Sequence, residues 1–119
     1  MLIDTHTHLY AEEFNSDRNV LIEKAIHNGI SKFYLPNIDS SSIAPMLSLE
    51  SHFPKNCFAM MGLHPCHVKN DVKNELIIIS DWLKKREFVA IGEIGMDLYW
   101  DKTFIEEQKH AFITQIEWA

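Results

Sequence analysis

Cys57-Phe58-Ala59-Met60-Met61 is followed by Asp71, by Val72, Leu76, Ile79 and Leu83 at helical spacing, and then by Phe88-Val89-Ala90-Ile91 and Gly92. The first run is apolar throughout, as in a strand covered on both faces. The middle stretch places apolar residues at i, i+4, i+7 and i+11, one stripe of an amphipathic helix, and Asp71 stands where an N-cap would. The last run is a further continuous apolar strand closed by glycine. Strand, helix, strand in that order predicts two parallel strands with a helix packed over the sheet.

The same rhythm extends in both directions. Residues Leu2 to Leu9 read as a strand running into a loop. Ser16 to Asn28 predicts a helix with Val20, Leu21, Ala25 and Ile26 on its apolar face, Ser16 or Asn15 as its cap, and Gly29 at its end. Ile30 to Leu35 is a second strand, stopped by Pro36. Asp39-Ser40-Ser41-Ser42 offers caps for a helix reaching about Ser51, with Pro45 tolerated in its first turn. Beyond the opening stretch, Thr103-x-x-Glu106 has the form of a capping box, opening a helix with Ile105, Phe112 and Ile116 on one side. Trp82, Trp100 and Trp118 are expected to pack in the core or against helices.

The order is therefore βαβαβαβα. Four units in 119 residues is roughly 30 residues per unit, the spacing of a (β/α)₈ barrel of about 250 residues. The expected fold is α/β of the TIM-barrel kind, with residues 1–119 forming one domain made of the first four βα units. A small, complete four-stranded α/β domain is the alternative. The end at Glu117-Trp118-Ala119, in a helical pattern without a glycine cap, reads as a truncation. Unpaired edges on the outer strands would invite two copies to associate edge to edge.

Composition sets limits on function. With 46% hydrophobic and 24% charged residues, the chain is no disordered tail. Eleven Lys and Arg against 17 Asp and Glu give a net charge of −6, without the basic excess usual in proteins that bind nucleic acid by counterion release. A phosphate-bearing substrate would need a local attractor such as a metal. No apolar run is long enough to span a bilayer, and the start lacks a signal-peptide pattern, so a cytoplasmic protein without membrane contact is expected. Cys57 and Cys66 read as free thiols. The seven histidines are the anomaly.

The unusual residues collect after predicted strands, where parallel α/β folds carry their chemistry. His6 and His8 follow the first strand. At i and i+2 they share a face and can converge on one cation, although two polar side chains at a strand end is the plain alternative. Asp4 has the same parity and could orient one imidazole. Asn37 follows the second strand. His64, in Gly62-Leu63-His64-Pro65, follows the third and suits a phosphate or substrate contact. Glu93, in Gly92-Glu93-Ile94-Gly95-Met96-Asp97, follows the fourth. A carboxylate there is expensive unless paired or bound to metal, and it could bridge two ions. His27, His52 and His110 read as solvated helix residues and His67 as loop surface.

Ile3-Asp4-Thr5-His6-Thr7-His8-Leu9, Gly62-Leu63-His64-Pro65 and Gly92-Glu93-Ile94-Gly95-Met96-Asp97, in that order, resemble the N-terminal motifs of TatD-family metal-dependent deoxyribonucleases. Gln108, Phe112 and Gln115 also look like that family's helix after the third motif. His-x-His alone would suggest only the wider amidohydrolase-like barrels. The resemblance implies a (β/α)₈ barrel that hydrolyses DNA phosphodiesters with divalent metal, two ions per full site, as Mg²⁺, Mn²⁺ or Zn²⁺. His6 and His8 would bind one ion, Glu93 would be shared by two, and His64 would lie near the substrate phosphate. Asp97 matches a motif position and would shape the loop. The family's remaining ligands, two histidines and an aspartate that would serve as general base, come from the second half of the barrel, beyond Ala119. A small-molecule amidohydrolase acting on an amide or lactone, and a non-catalytic fragment, are the rival readings.

Overall fold

The computed structural model describes residues 1–119. Strands and helices alternate as β1 (Leu2–Asp4), α1 (Arg18–His27), β2 (Ile30–Pro36), α2 (Ile43–His52), β3 (Cys57–Met61), α3 (Val72–Lys85), β4 (Ala90–Ile91) and α4 (Ile105–Trp118). The sheet runs β1-β2-β3-β4 with every neighbouring pair parallel. This is the four-unit arc that the unit count predicts. Leu2 and Ile3 of β1, and Val89 just before β4, are exposed. No helix is long and apolar enough to cross a membrane.

The core lies between the sheet and its helices. Phe33 and Leu35 of β2 and Cys57, Ala59 and Met61 of β3 are buried with Ile22 of α1, Ile43, Met46 and Leu49 of α2, Leu76 and Ile79 of α3, and Ala111 of α4. The cover expected on both faces of β3 is present on one. Phe58 and Met60, of the opposite parity, are only half-buried. Period-2 alternation sends them to the concave side, where Tyr34 meets Phe58 edge to face and the Lys32 ammonium sits over the Phe58 ring.

Local details depart from the expectations. α1 begins at Arg18, and Asp17 at its N-cap makes no side-chain cap bond. Instead the Arg18 guanidinium donates to the carbonyls of Leu9, Tyr10 and Ala11 and to Asn15 Oδ1, which folds the preceding loop around it. Ile22 is the buried residue of α1, flanked by half-buried Ala25 and Ile26 at i+3 and i+4. Val20 and Leu21 fall off that face and are exposed. Asp39 to Ser42 forms a separate 3₁₀ turn with a reciprocal cap between Asp39 and Ser42, so α2 starts at Ile43. β4 has two residues rather than four, although the Val89 amide still donates to the Ala59 carbonyl.

The capping box expected at Thr103 and Glu106 does not form. Phe104 takes the N-cap position, and the Thr103 amide donates to Asp101. The buried face of α4 is Gln108, Ala111 and Gln115, and Ile116 is exposed. Amides go inside here because backbone partners await them there. Gln115 Oε1 accepts from the Leu63 amide, and Gln108 pairs with both backbone groups of Asp97. Trp82 and Trp118 pack against the core as expected. Trp100 does not: it lies in the loop after β4, which no helix covers, and is 80% exposed.

The carboxyl ends of the strands are tied together by Asn37, which is fully buried. Its amide group donates to the carbonyls of Gly62 and Asp39 and accepts from Ser42 Oγ. Its backbone N–H lies between the carbonyls of Met60 and Gly92, and its carbonyl accepts from the Glu93 amide. Gly62 is required by the same convergence. A Cβ there would stand 2.8 Å from the Gly92 carbonyl carbon and 2.9 Å from its oxygen. Gly62→Ala is therefore expected to destabilise the fold by ~1–3 kcal/mol through overpacking, measured by chemical denaturation. An unchanged midpoint would show that the two loops part freely.

Candidate metal centre

The chain leaves β1 under local control. Asp4 Oδ1 accepts the backbone N–H of His6 at 3.1 Å, so Asp4 positions the loop and not an imidazole, contrary to expectation. The reason is proximity: an Asx carboxylate reaches the amide two residues on more readily than a ring further away. The Thr7 amide still donates to the Tyr34 carbonyl. That bond keeps the His6-Thr7-His8 segment strand-like beyond β1, and both imidazoles stay on one side.

Three loops then converge. His6 Nε2 lies 3.0 Å and His8 Nε2 3.4 Å from Glu93 Oε2, and His64 Nε2 lies 3.2 Å from Glu93 Oε1. Donor atoms of His6, His8 and Glu93 all fall within 4.8 Å of one another. Glu93 Oε2 is shielded from solvent and has no hydrogen-bond partner. The two imidazole nitrogens are close to it but not aligned to donate. A buried carboxylate oxygen facing nitrogens in that way is a position that a cation completes.

Proton positions follow from the neighbours. The Tyr10 hydroxyl donates its single proton to the Pro36 carbonyl, so toward His8 Nδ1, at 2.9 Å, it accepts. His8 therefore carries its proton on Nδ1 and turns the lone pair of Nε2 toward Glu93. Burial raises the Tyr10 pKa, which keeps that proton in place. His64 is set the other way. Its Nδ1 accepts from the Cys66 amide at 3.0 Å, so in the neutral ring Nε2 bears the hydrogen. Two imidazoles at similar distances from one carboxylate are thus an electron-pair donor and a proton donor respectively.

A family profile described as TatD-related DNase matches residues 3–119. The chain belongs to that family. It is 31% identical over its whole length to an uncharacterized metal-dependent hydrolase, YabD, of Bacillus subtilis (strain 168), of which it covers 46%. It is 26% identical over 118 residues to a 3'-5' ssDNA/RNA exonuclease TatD of Erwinia tasmaniensis, covering 99% of this chain and 46% of that protein. The crystal structure of YjjV, a TatD homologue from Escherichia coli K12, superposes with a TM-score of 0.87 and 29% identity over 98% of this chain and 45% of that one. The chain spans about half the length of these TatD relatives, and its arc of strands is a fragment of their TIM barrel.

Of the residues singled out in the sequence, His6, His8, His64 and Glu93 meet at one point, and Asp4 and Asp97 support the loops. Asp97 Oδ1 accepts the Tyr99 amide, and that bond together with the Cys66 thiol holds its carboxyl below the usual range. One contributor was not foreseen: Tyr10 sets the His8 tautomer and could have been read from the continued alternation His6-x-His8-x-Tyr10. His67 is exposed, as expected of loop surface, with Nδ1 2.7 Å from Asp39 Oδ2.

Burial, ahead of the opposing attraction of Glu93, lowers the His8 pKa. In metal-free protein the His8 ring is expected to titrate below the ordinary histidine value of about 6.5. The unfolded chain then binds the proton first. His8 contributes its full share of stability above about pH 6.5 and loses it as the pH falls through the folded value. Ring-proton NMR in excess chelator checks this, and a midpoint at or above the ordinary value would contradict it.

Proposed function

We propose that these residues form the N-terminal half of the site of a divalent-metal-dependent phosphodiesterase acting on DNA. The observation that carries the reading is the buried, unpartnered Glu93 Oε2 between the nitrogens of His6 and His8. The names of the TatD relatives, metal-dependent hydrolase and ssDNA/RNA exonuclease, support it.

In this reading His6, His8 and Glu93 hold a divalent cation, Mg²⁺, Mn²⁺ or Zn²⁺. Glu93 has a second oxygen on the His64 side and would be the residue shared with a second ion. A bound divalent cation lowers the pKa of water and offsets charge on phosphoryl oxygens. The chain's own residues do the rest of the local work. The Tyr10 hydroxyl, held by Pro36, keeps the Nε2 lone pair of His8 aimed inward. Asp4 and Thr7 hold the loop that carries both imidazoles. His64 keeps its hydrogen on Nε2, from which it would hydrogen-bond a non-bridging phosphate oxygen. Gln115 fixes the Leu63 amide just before His64, and Gln108 fixes the loop after Glu93. With a net charge of −6, residues 1–119 offer no basic excess to attract the phosphate, and a bound cation would supply that attraction.

The whole protein is expected to cleave single-stranded DNA only with divalent metal, and His6→Ala and Glu93→Gln are expected to abolish cleavage. Undiminished cleavage in excess chelator, with His6→Ala equally active, would overturn the assignment. Tyr10→Phe keeps the ring but removes the acceptor for His8 Nδ1–H. Metal affinity should fall by ~10–100-fold, the usual effect of removing the partner of a ligating histidine, as read by calorimetric titration. Unchanged affinity would detach Tyr10 from the site.

A further inference from the structure

We infer that Tyr99 and Trp100 form a platform on which bases of a single-stranded nucleic acid stack as its backbone enters the site; this rests on the phosphodiesterase reading above. Both rings stand in the loop between Glu93 and α4. They are 83% and 80% exposed, a degree unusual for two adjacent large aromatics in a chain whose other tryptophans pack against the core. Their centroids are 4.7 Å apart with planes at 86°, so each ring presents a face to solvent.

Hydrogen bonds tie the loop down, and it abuts the turn that follows His64. Gln108 pairs with both backbone groups of Asp97 at 2.9 Å, Asp97 Oδ1 accepts the Tyr99 amide at 3.0 Å, and Asp101 Oδ1 accepts the Thr103 amide at 2.8 Å. Lys69 reaches Asp101 at 3.7 Å. A cavity of about 70 Å³ between this loop and the turn after His64 is lined by Cys66, Asp97 and Trp100. The loop is thus anchored beside the turn Pro65–His67 that follows the histidine proposed to meet the phosphate. A loop backbone held in place in advance loses little freedom when a base lands on the rings it carries.

Charge favours the same occupant. An acidic chain gains little from counterion release, so affinity for a polyanion has to come from the cation and from contacts that carry no charge. Base–aromatic stacking is such a contact, and it tolerates any sequence.

The test uses the whole protein with Mg²⁺ and a fluorescent, phosphorothioate-linked oligothymidylate that resists cleavage. Tyr99→Ala and Trp100→Ala should each weaken binding roughly 5- to 150-fold, the equivalent of one lost stacked base. Trp100→Phe should restore most of the affinity. An abasic strand of equal length should bind the unaltered protein about as weakly as the oligothymidylate binds the Tyr99→Ala, Trp100→Ala double variant. Binding of both alanine variants within twofold of the unaltered protein, or equal binding of the abasic strand, would overturn the platform. If the unaltered protein still cleaves DNA in that case, the phosphodiesterase reading survives it. Failure of the unaltered protein to bind or cleave any single strand would overturn both. Protection of Trp100 from fluorescence quenchers in the absence of nucleic acid would show that another polypeptide segment covers the rings, and would also overturn the platform.

Discussion

A buried amide has to satisfy all its hydrogen-bonding groups, and Asn37 does so by joining three loops. With its side chain on Gly62, Asp39 and Ser42, and its backbone on Met60, Gly92 and Glu93, it brings the ends of β2, β3 and β4 to one place. Leaving any of these groups unpaired would cost about 1–3 kcal/mol, so the arrangement is held from several sides. The glycines follow from it. Gly62 has no room for a side chain because the Gly92 backbone lies against it. Glu93 stands over the imidazoles because its own amide is bonded to Asn37.

Around that frame the outer contacts decide what each imidazole can do. His8 and His64 approach the same carboxylate at 3.4 and 3.2 Å, and distance alone would give them one role. The Tyr10 hydroxyl and the Cys66 amide separate them by fixing the proton on opposite nitrogens. One ring offers an electron pair and the other a proton. The proposed binding of a metal and a phosphate would use both, and a neutral, partly buried His8 is the form suited to ligation.

Several features were legible in the chain itself. The stripe Val72, Leu76, Ile79 and the glycine after Asn28 describe α3 and the end of α1 as they are. His6, His8, His64 and Glu93 were recognisable because each follows a strand. Other elements were not legible, for identifiable reasons. Val20 and Leu21 look like core and are exposed, because only the line through Ile22, Ala25 and Ile26 faces the sheet. Gln108 and Gln115 look like surface and are buried, because Asp97 and Leu63 offer them backbone partners. Asp4 looked like an imidazole partner, yet its carboxylate is taken by the nearer His6 amide.

Periodicity, turn residues and the order of motifs are local properties, and they determined the alternation of strand and helix, the half-barrel unit count and the identity of the donor residues. The meeting of His6, His8, His64 and Glu93 at one point, the tautomers set by Tyr10 and Cys66, the role of Asn37 as the common tie and the outward placement of Tyr99 and Trp100 were decided by the tertiary structure alone. Each depends on atoms far apart in sequence: Tyr10 with Pro36, Asn37 with Gly62 and Glu93, Leu63 with Gln115. No spacing rule along the chain reports which of many possible long-range partners will satisfy a buried polar group. Only the packed fold makes that choice, because burial makes every unsatisfied donor and acceptor costly at once.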